Sequence, residues 1–224
     1  MKVVIVAVLL CLQGLLYGRE ISLRFNPIFG GRPFEMGRWF HSGDDSVKIS
    51  ALKFYVTNIM FYQNNDPVDI VVKKHHLVDL DNPGSLLLEA TREKNMRFNR
   101  ISFCIGVDSL TNMQGVQTGD LDPTNGMYWT WQSGFINFKI EGQSNKCPAR
   151  NNEFIFHIGG YQYPNNTLQP VSFEIGDSNS IIMDMDILQL LNQLQLSTLF
   201  HIMSPGSKAV EMAQKVSTIF KVRI

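Results

Sequence analysis

The sequence has little cysteine, no block of like charge and, after residue 18, no long apolar run. Each shortage argues against a class of protein. There are three cysteines, one of them, Cys11, inside the N-terminal apolar segment. The other two, Cys104 and Cys147, lack the CxxC spacing of a thiolate metal site. Basic and acidic side chains balance at 20 each. Without a basic run to meet a phosphate backbone, nucleic acid is not expected as a partner. No later segment reaches the about 20 apolar residues of a membrane-spanning helix, so no transmembrane segment is expected. Catalytic signatures are missing as well: no Gly-x-Ser-x-Gly elbow, no His-Glu-x-x-His pair and no phosphate-binding glycine loop. Gly176-Asp-Ser-Asn179 has no Asp-x-x-His after it. The chain is therefore expected not to be an enzyme.

What is present begins with a leader. Lys2 provides a short positive region, Val3 to Leu12 an apolar run, and Leu15-Leu16-Tyr17-Gly18 a small residue suited to cleavage. Residues 1–18 are expected to be a secretory signal peptide. The protein would then be exported, to the periplasm or the cell surface and extracellular space. Loss of Lys2 leaves one net negative charge on residues 19–224. In an oxidising compartment Cys104 and Cys147 form a possible disulfide. Cys104 lies in an apolar alternating stretch and Cys147 in a polar loop, and buried free thiols are equally compatible with that placement.

The remaining pattern is mostly of period two. Ile21-Ser-Leu-Arg-Phe25 alternates, and residues 46–61 do so at length, with a switch at Phe54/Tyr55 that signals a bulge or bend. Further strands are expected at 68–72, 76–80, 100–107, 127–131, 135–141, 153–158, 171–175 and 180–185. Asn, Pro and Gly clusters such as Asn82-Pro83-Gly84 and Gly159-Gly160 separate them. Helical spacing appears only late. Ile187, Leu190, Leu191 and Leu194 form one apolar stripe; Ala209, Met212, Ala213, Val216, Ile219 and Phe220 form another, behind Ser204 as N-cap and Pro205 at the first helical position. The fold class is all-β: an antiparallel β-sandwich with one or two short C-terminal helices, in a single domain spanning 19–224.

Chemistry concentrates in two places. Gly119-Asp-Leu-Asp-Pro-Thr-Asn-Gly-Met-Tyr-Trp-Thr-Trp-Gln-Ser-Gly134 sets Trp129 and Trp131 two residues apart, so a strand would present both indoles on one face. His157 alternates with Phe154, Phe156 and Ile158, which puts its imidazole on the opposite strand face just before Gly159-Gly160. That imidazole suits a metal ligand or a structural hydrogen bond. His201 lies between the two late helices and His41 in a loop after Trp39-Phe40; both are candidate ligands and both have plain structural alternatives. His75 and His76 point to opposite faces and cannot chelate together. Asp120-Leu-Asp122-Pro-Thr-Asn125-Gly126 and Asp79-Leu-Asp81-Asn-Pro-Gly84 depart from calcium-loop spacing and carry no closing Glu.

The 119–134 block, with Gly106-Val-Asp-Ser-Leu110, Lys139-Ile-Glu-Gly142, His157-Ile-Gly-Gly160, Leu52-Lys-Phe-Tyr-Val-Thr-Asn-Ile59 and Ile202-Met-Ser-Pro-Gly206, resembles the MbnP-like copper-binding domain family over roughly residues 20–220. The resemblance implies an exported β-sandwich that binds copper through histidine nitrogen. In some members a partner dihaem peroxidase oxidises a tryptophan to kynurenine. Carried onto this chain, it makes His157 the ligand candidate and Trp129 or Trp131 the candidate oxidatively modified residue. Members that bind copper often have a first-strand histidine, where this chain has Asn26; His41 or His201 would then supply the second nitrogen. The alternative is a structural or protein-interaction domain on the same fold that has lost metal binding.

Overall fold

The structure is a computed structural model that describes residues 19–93, 96–131, 134–176 and 178–223. The expected signal peptide, 1–18, lies outside the described residues. Two sheets pack face to face. The smaller runs Phe220–Val222, Ser180–Asp186, Arg19–Phe29, Leu87–Arg92, Val71–Val72 in lateral order. The larger runs Gln169–Glu174, Arg100–Ile105, Asp45–Gln63, Gly134–Ser144, Glu153–Gly159, His201–Ile202, with short strands paired onto its members.

The fold is mostly β, with few short helices, as expected, but the sheets are of mixed orientation. Arg19–Phe29 pairs parallel to Ser180–Asp186, and Glu153–Gly159 pairs parallel to His201–Ile202. A parallel pair needs a long crossover rather than a hairpin, and here the partners Ser22 and Ser180 are separated by most of the chain.

Alternation builds the core. Ile21, Leu23 and Phe25 of one sheet meet Leu52, Phe54, Val56, Phe103, Phe138, Phe154 and Phe156 of the other. Phe25, Phe54, Phe103 and Phe220 meet edge to face, with centroids 5.5–6.3 Å apart. That spacing suits the ring quadrupoles. The face switch in the long strand occurs earlier than its aromatic pattern suggests. Ala51 pairs with Glu141 while Ile49 pairs with Gly142, leaving Ser50 as the bulged residue. From there Leu52, Phe54 and Val56 point inward and Lys53, Tyr55 and Thr57 outward.

Three α-helices lie among the described residues. Ile187–Asn192 is capped by Asp186, whose carboxylate accepts from Leu188 and Gln189 N–H. Ser207–Ser217 buries Ala209, Met212, Ala213 and Val216, but its N-cap is Gly206, with no side-chain cap, rather than Ser204. Ser109–Met113, capped by Asp108, has no apolar periodicity long enough to be read in advance.

The segment from Gly106 to Trp131 folds over the outer face of the large sheet. There Val107, Leu121, Met127 and Trp129 join Tyr55, Leu77, Phe135 and Ile136 in a second, smaller apolar cluster. Buried polar groups pin it down. Asn137 Oδ1 accepts from Val107 N–H, Asn112 Oδ1 accepts from Phe135 N–H, Asp120 Oδ2 accepts from Leu77 N–H, and the Tyr55 hydroxyl donates to the Asp120 carbonyl. Buried backbone groups need such partners.

Candidate metal centre

Beyond the edge of that covered area, the outer face carries a polar row set by strand register. Asp79 pairs with Lys53, Lys53 with Lys139, and Lys139 with His157. Asp79 and Lys53 are 2.9 Å apart. Lys139 turns to Glu141 at 3.2 Å, and Glu141 Oε1 lies 2.6 Å from His157 Nε2. Phe154, Phe156 and Ile158 hold the strand to the core, so His157 projects outward as expected, yet it is only 9% exposed. Burial pushes its imidazole below the usual value. The Glu141 hydrogen bond opposes that shift, and the charges of Lys139 and His201 add to it. For Glu141 burial raises the carboxyl, but hydrogen bonds from His157 and Lys139 outweigh it and hold the group below its ordinary range.

His201 is the partner the sheet brings closest to this row. Its register mate is Ile155, two residues from His157, so both imidazoles rise from one face of adjacent strands. His201 is exposed.

Trp129 completes the neighbourhood. Gly159 shares the outer face with His157, and a Cβ there would lie 2.6 Å from both the Trp129 ring and the Phe135 carbonyl oxygen. Glycine is needed at 159 because the indole lies against the strand backbone. Gly160 is needed for a second reason: it has φ +130°, a conformation that side chains disfavour. Trp129 is 5% exposed and its Nε1 has no hydrogen-bond partner. An orphaned indole N–H is unusual for a buried tryptophan. A cleft of about 180 Å³ opens beside it, bounded by Trp129, Gly160, Tyr161, Asn165 and Pro205.

Several expected site residues do not join this group. The strand Tyr128–Trp129 is two residues long, and Trp131 follows it in the turn, 64% exposed. The two indoles still touch, with centroids 5.7 Å apart. His41 sits at the far end of the sheet: its pairing partner Ser46 is seven residues from Lys53, roughly 20 Å along a strand. Its Nδ1 bonds Ser46 Oγ at 2.9 Å. It cannot share a metal with His157. Asn26 belongs to the opposite sheet, where its amide donates to Asp184 at 2.6 Å. The disulfide is not formed. Cys147 is buried in the main core and its thiol donates to the Glu153 carbonyl, whereas Cys104 lies on the outer face beside Asn58. The two cysteines fall on opposite sides of the sheet.

The acidic loops serve the fold. Asp120 Oδ2 is occupied by Leu77 N–H and by Lys73 at 2.6 Å, and Asp122 caps Thr124. His75 faces Thr111 and His76 the Ser85 carbonyl, on opposite faces. Among the described residues no group of three or more His, Cys, Asp or Glu converges as a metal cage. Sequence reasoning missed Glu141; the alternation of Lys139-Ile-Glu141 beside the His157 strand was the signal that could have found it.

A sequence model of the MbnP family matches residues 18–208. The chain belongs to the MbnP family. Its fold is that of MbnP from Methylosinus trichosporium, with a TM-score of 0.66 at 16% identity over 91% of this chain and 98% of that one. No curated protein sequence matches significantly. No helix among the described residues is long and apolar enough to cross a membrane.

Proposed function

We propose that this member of the MbnP family is an exported, non-enzymatic copper-binding protein that acquires or sequesters the metal at the outer-face site around His157. The observation that carries the proposal is the buried imidazole of His157, anchored by Glu141 and two residues from Gly159, against which the Trp129 ring is packed with its N–H left unsatisfied. The donor chemistry fits copper in part. His157 and His201 offer two imidazoles, a ligand type that suits copper, and the cage is short of a third donor.

Trp129 is the residue positioned to complete it. Oxidative opening of its indole to kynurenine would replace the orphaned N–H with an aromatic amine and add a ketone oxygen. A partner dihaem peroxidase is the expected oxidant, and Trp131 is the indole exposed to such a partner. Copper bound there would be held by one buried and one exposed imidazole.

Cu(I) and Cu(II) titration of the secreted protein tests this, with intact-mass analysis of the peptide carrying Trp129. Binding tighter than about micromolar, some 8 kcal/mol, that is lost in His157→Ala supports copper acquisition. Weaker binding with unmodified tryptophan would reject it. The missing third donor favours one other reading, a docking domain that has kept the fold and lost the metal. That alternative expects His157→Ala to leave metal content and partner binding unchanged.

A further inference from the structure

We propose that Glu141 is the positioning residue of this site: it holds the proton of His157 on Nε2 and so makes Nδ1 the nitrogen that meets the metal. This rests on the copper-binding role proposed above, and its observations are the contacts of Glu141 with His157 and Lys139. Glu141 Oε1 is 2.6 Å from His157 Nε2. An ionised carboxylate can only accept, so the contact is Nε2–H donating to oxygen. Lys139, 3.2 Å from the same oxygen, favours the ionised carboxylate. A neutral imidazole has one N–H, and spending it on Glu141 leaves the lone pair on Nδ1. Metal-ligating histidines commonly donate the N–H of their other ring nitrogen to a carboxylate in this way, which fixes both tautomer and ring orientation.

The strand geometry shows why Glu141 has the part rather than a neighbour. Lys139 is directly opposite His157 in the antiparallel pair, and its ammonium cannot accept an N–H. Glu141 is two residues along, at the diagonal position that long side chains reach across. The other charged groups of the row, Lys53 and Asp79, are paired with each other. His201 is the remaining titratable group whose charge reaches His157. The nitrogen left free to meet a metal is then Nδ1, the one nearer the main chain. A second donor must then come from the same face, where His201 and Trp129 are the groups in place.

Long-range 1H–15N spectra of the copper-free secreted protein read the tautomer directly. The expected result is an Nε2–H signal coupled to an unprotonated Nδ1 in wild type. In Glu141→Ala a mixture or a switch is expected, with Cu(I) affinity down about 10- to 100-fold. Glu141→Gln, which keeps an acceptor oxygen of equal reach without the charge, is expected to fall between them. An Nδ1–H tautomer in wild type would overturn the assignment. So would a folded Glu141→Ala protein with wild-type tautomer and affinity. Absence of copper binding by wild type would sink the functional proposal and Nδ1 as ligand, whereas the metal-free spectrum still decides whether Glu141 orients the ring.

Discussion

The two faces of the large sheet are built on different terms. The inner face is mainly hydrocarbon, with Leu52, Phe54, Phe138, Phe154 and Phe156 buried against the second sheet. The outer face is divided. One part is sealed by the 106–131 segment and its small apolar cluster; the other carries Lys53, Lys139, Glu141 and His157 in paired contacts. At the boundary lies Trp129, buried but with its N–H unsatisfied. The inner face explains why the chain folds. The outer face holds the buried imidazole of His157 and the orphaned Trp129 N–H, which the inner core does not use.

The largest expected effect belongs to the inner face. Phe54 touches Phe25, Phe138 and Phe220. Phe54→Ala should cost about 3–5 kcal/mol in urea unfolding, while the copper affinity of the molecules that remain folded is unchanged. A loss below about 1 kcal/mol would mean that the sheets are not packed as described. At the boundary, Gly159→Ala forces a methyl group against the Trp129 ring and the Phe135 carbonyl. It should cost about 1–3 kcal/mol and shift Trp129 emission to the red as the indole is displaced. Wild-type stability and emission would show that Trp129 does not lie against the strand.

The same division explains what could be read in advance. Strands 100–105, 153–159 and 180–186 were legible because one apolar face repeats every second residue. The His157 side-chain direction follows from Phe154, Phe156 and Ile158 for the same reason. The pairing of Ser22 with Ser180 is invisible to any local pattern, and so is the parallel strand that delivers His201 rather than His41 to His157. The Ser50 bulge leaves no composition signal, because it is fixed by register across Glu141 and Gly142. Spacing alone puts Trp131 on the strand with Trp129, but pairing stops at Trp129 opposite Gly134. Local periodicity thus defines the core, and non-local register assembles the site.

A smaller effect tests the polar row. Folding holds the His157 imidazole below its usual 6.5, so the unfolded chain takes up the proton more readily than the folded one. Stability is then fully present at neutral pH and is withdrawn as pH falls below about 6.5, until the folded imidazole is protonated too. His75 and His76 are lowered by burial and act with the same sign. In the copper-free protein His157→Gln should make the fall in urea midpoint between pH 7 and 5 shallower without abolishing it. An unchanged slope would mean that folding does not hold His157 neutral.

The smallest effect on stability belongs to Trp131, and it separates the two indoles by role. Its ring is exposed and meets the protein through Trp129, at 5.7 Å and 44° between planes. An aromatic pair contributes about 0.5–1.5 kcal/mol, and an exposed partner recovers hydration when it is lost, so Trp131→Ala should cost less than about 1 kcal/mol. Its effect on modification should be much larger. If a partner oxidant reaches the site across this turn, removal of the exposed indole takes away the surface it meets and leaves Trp129 buried behind the cleft. Mass analysis after co-expression with a dihaem peroxidase should then show less kynurenine at Trp129, with urea unfolding nearly unchanged. Undiminished conversion would place the oxidant's approach elsewhere, with the cleft bounded by Tyr161 and Pro205 as the remaining opening beside the ring. In that case Trp131 is only a cover for Trp129.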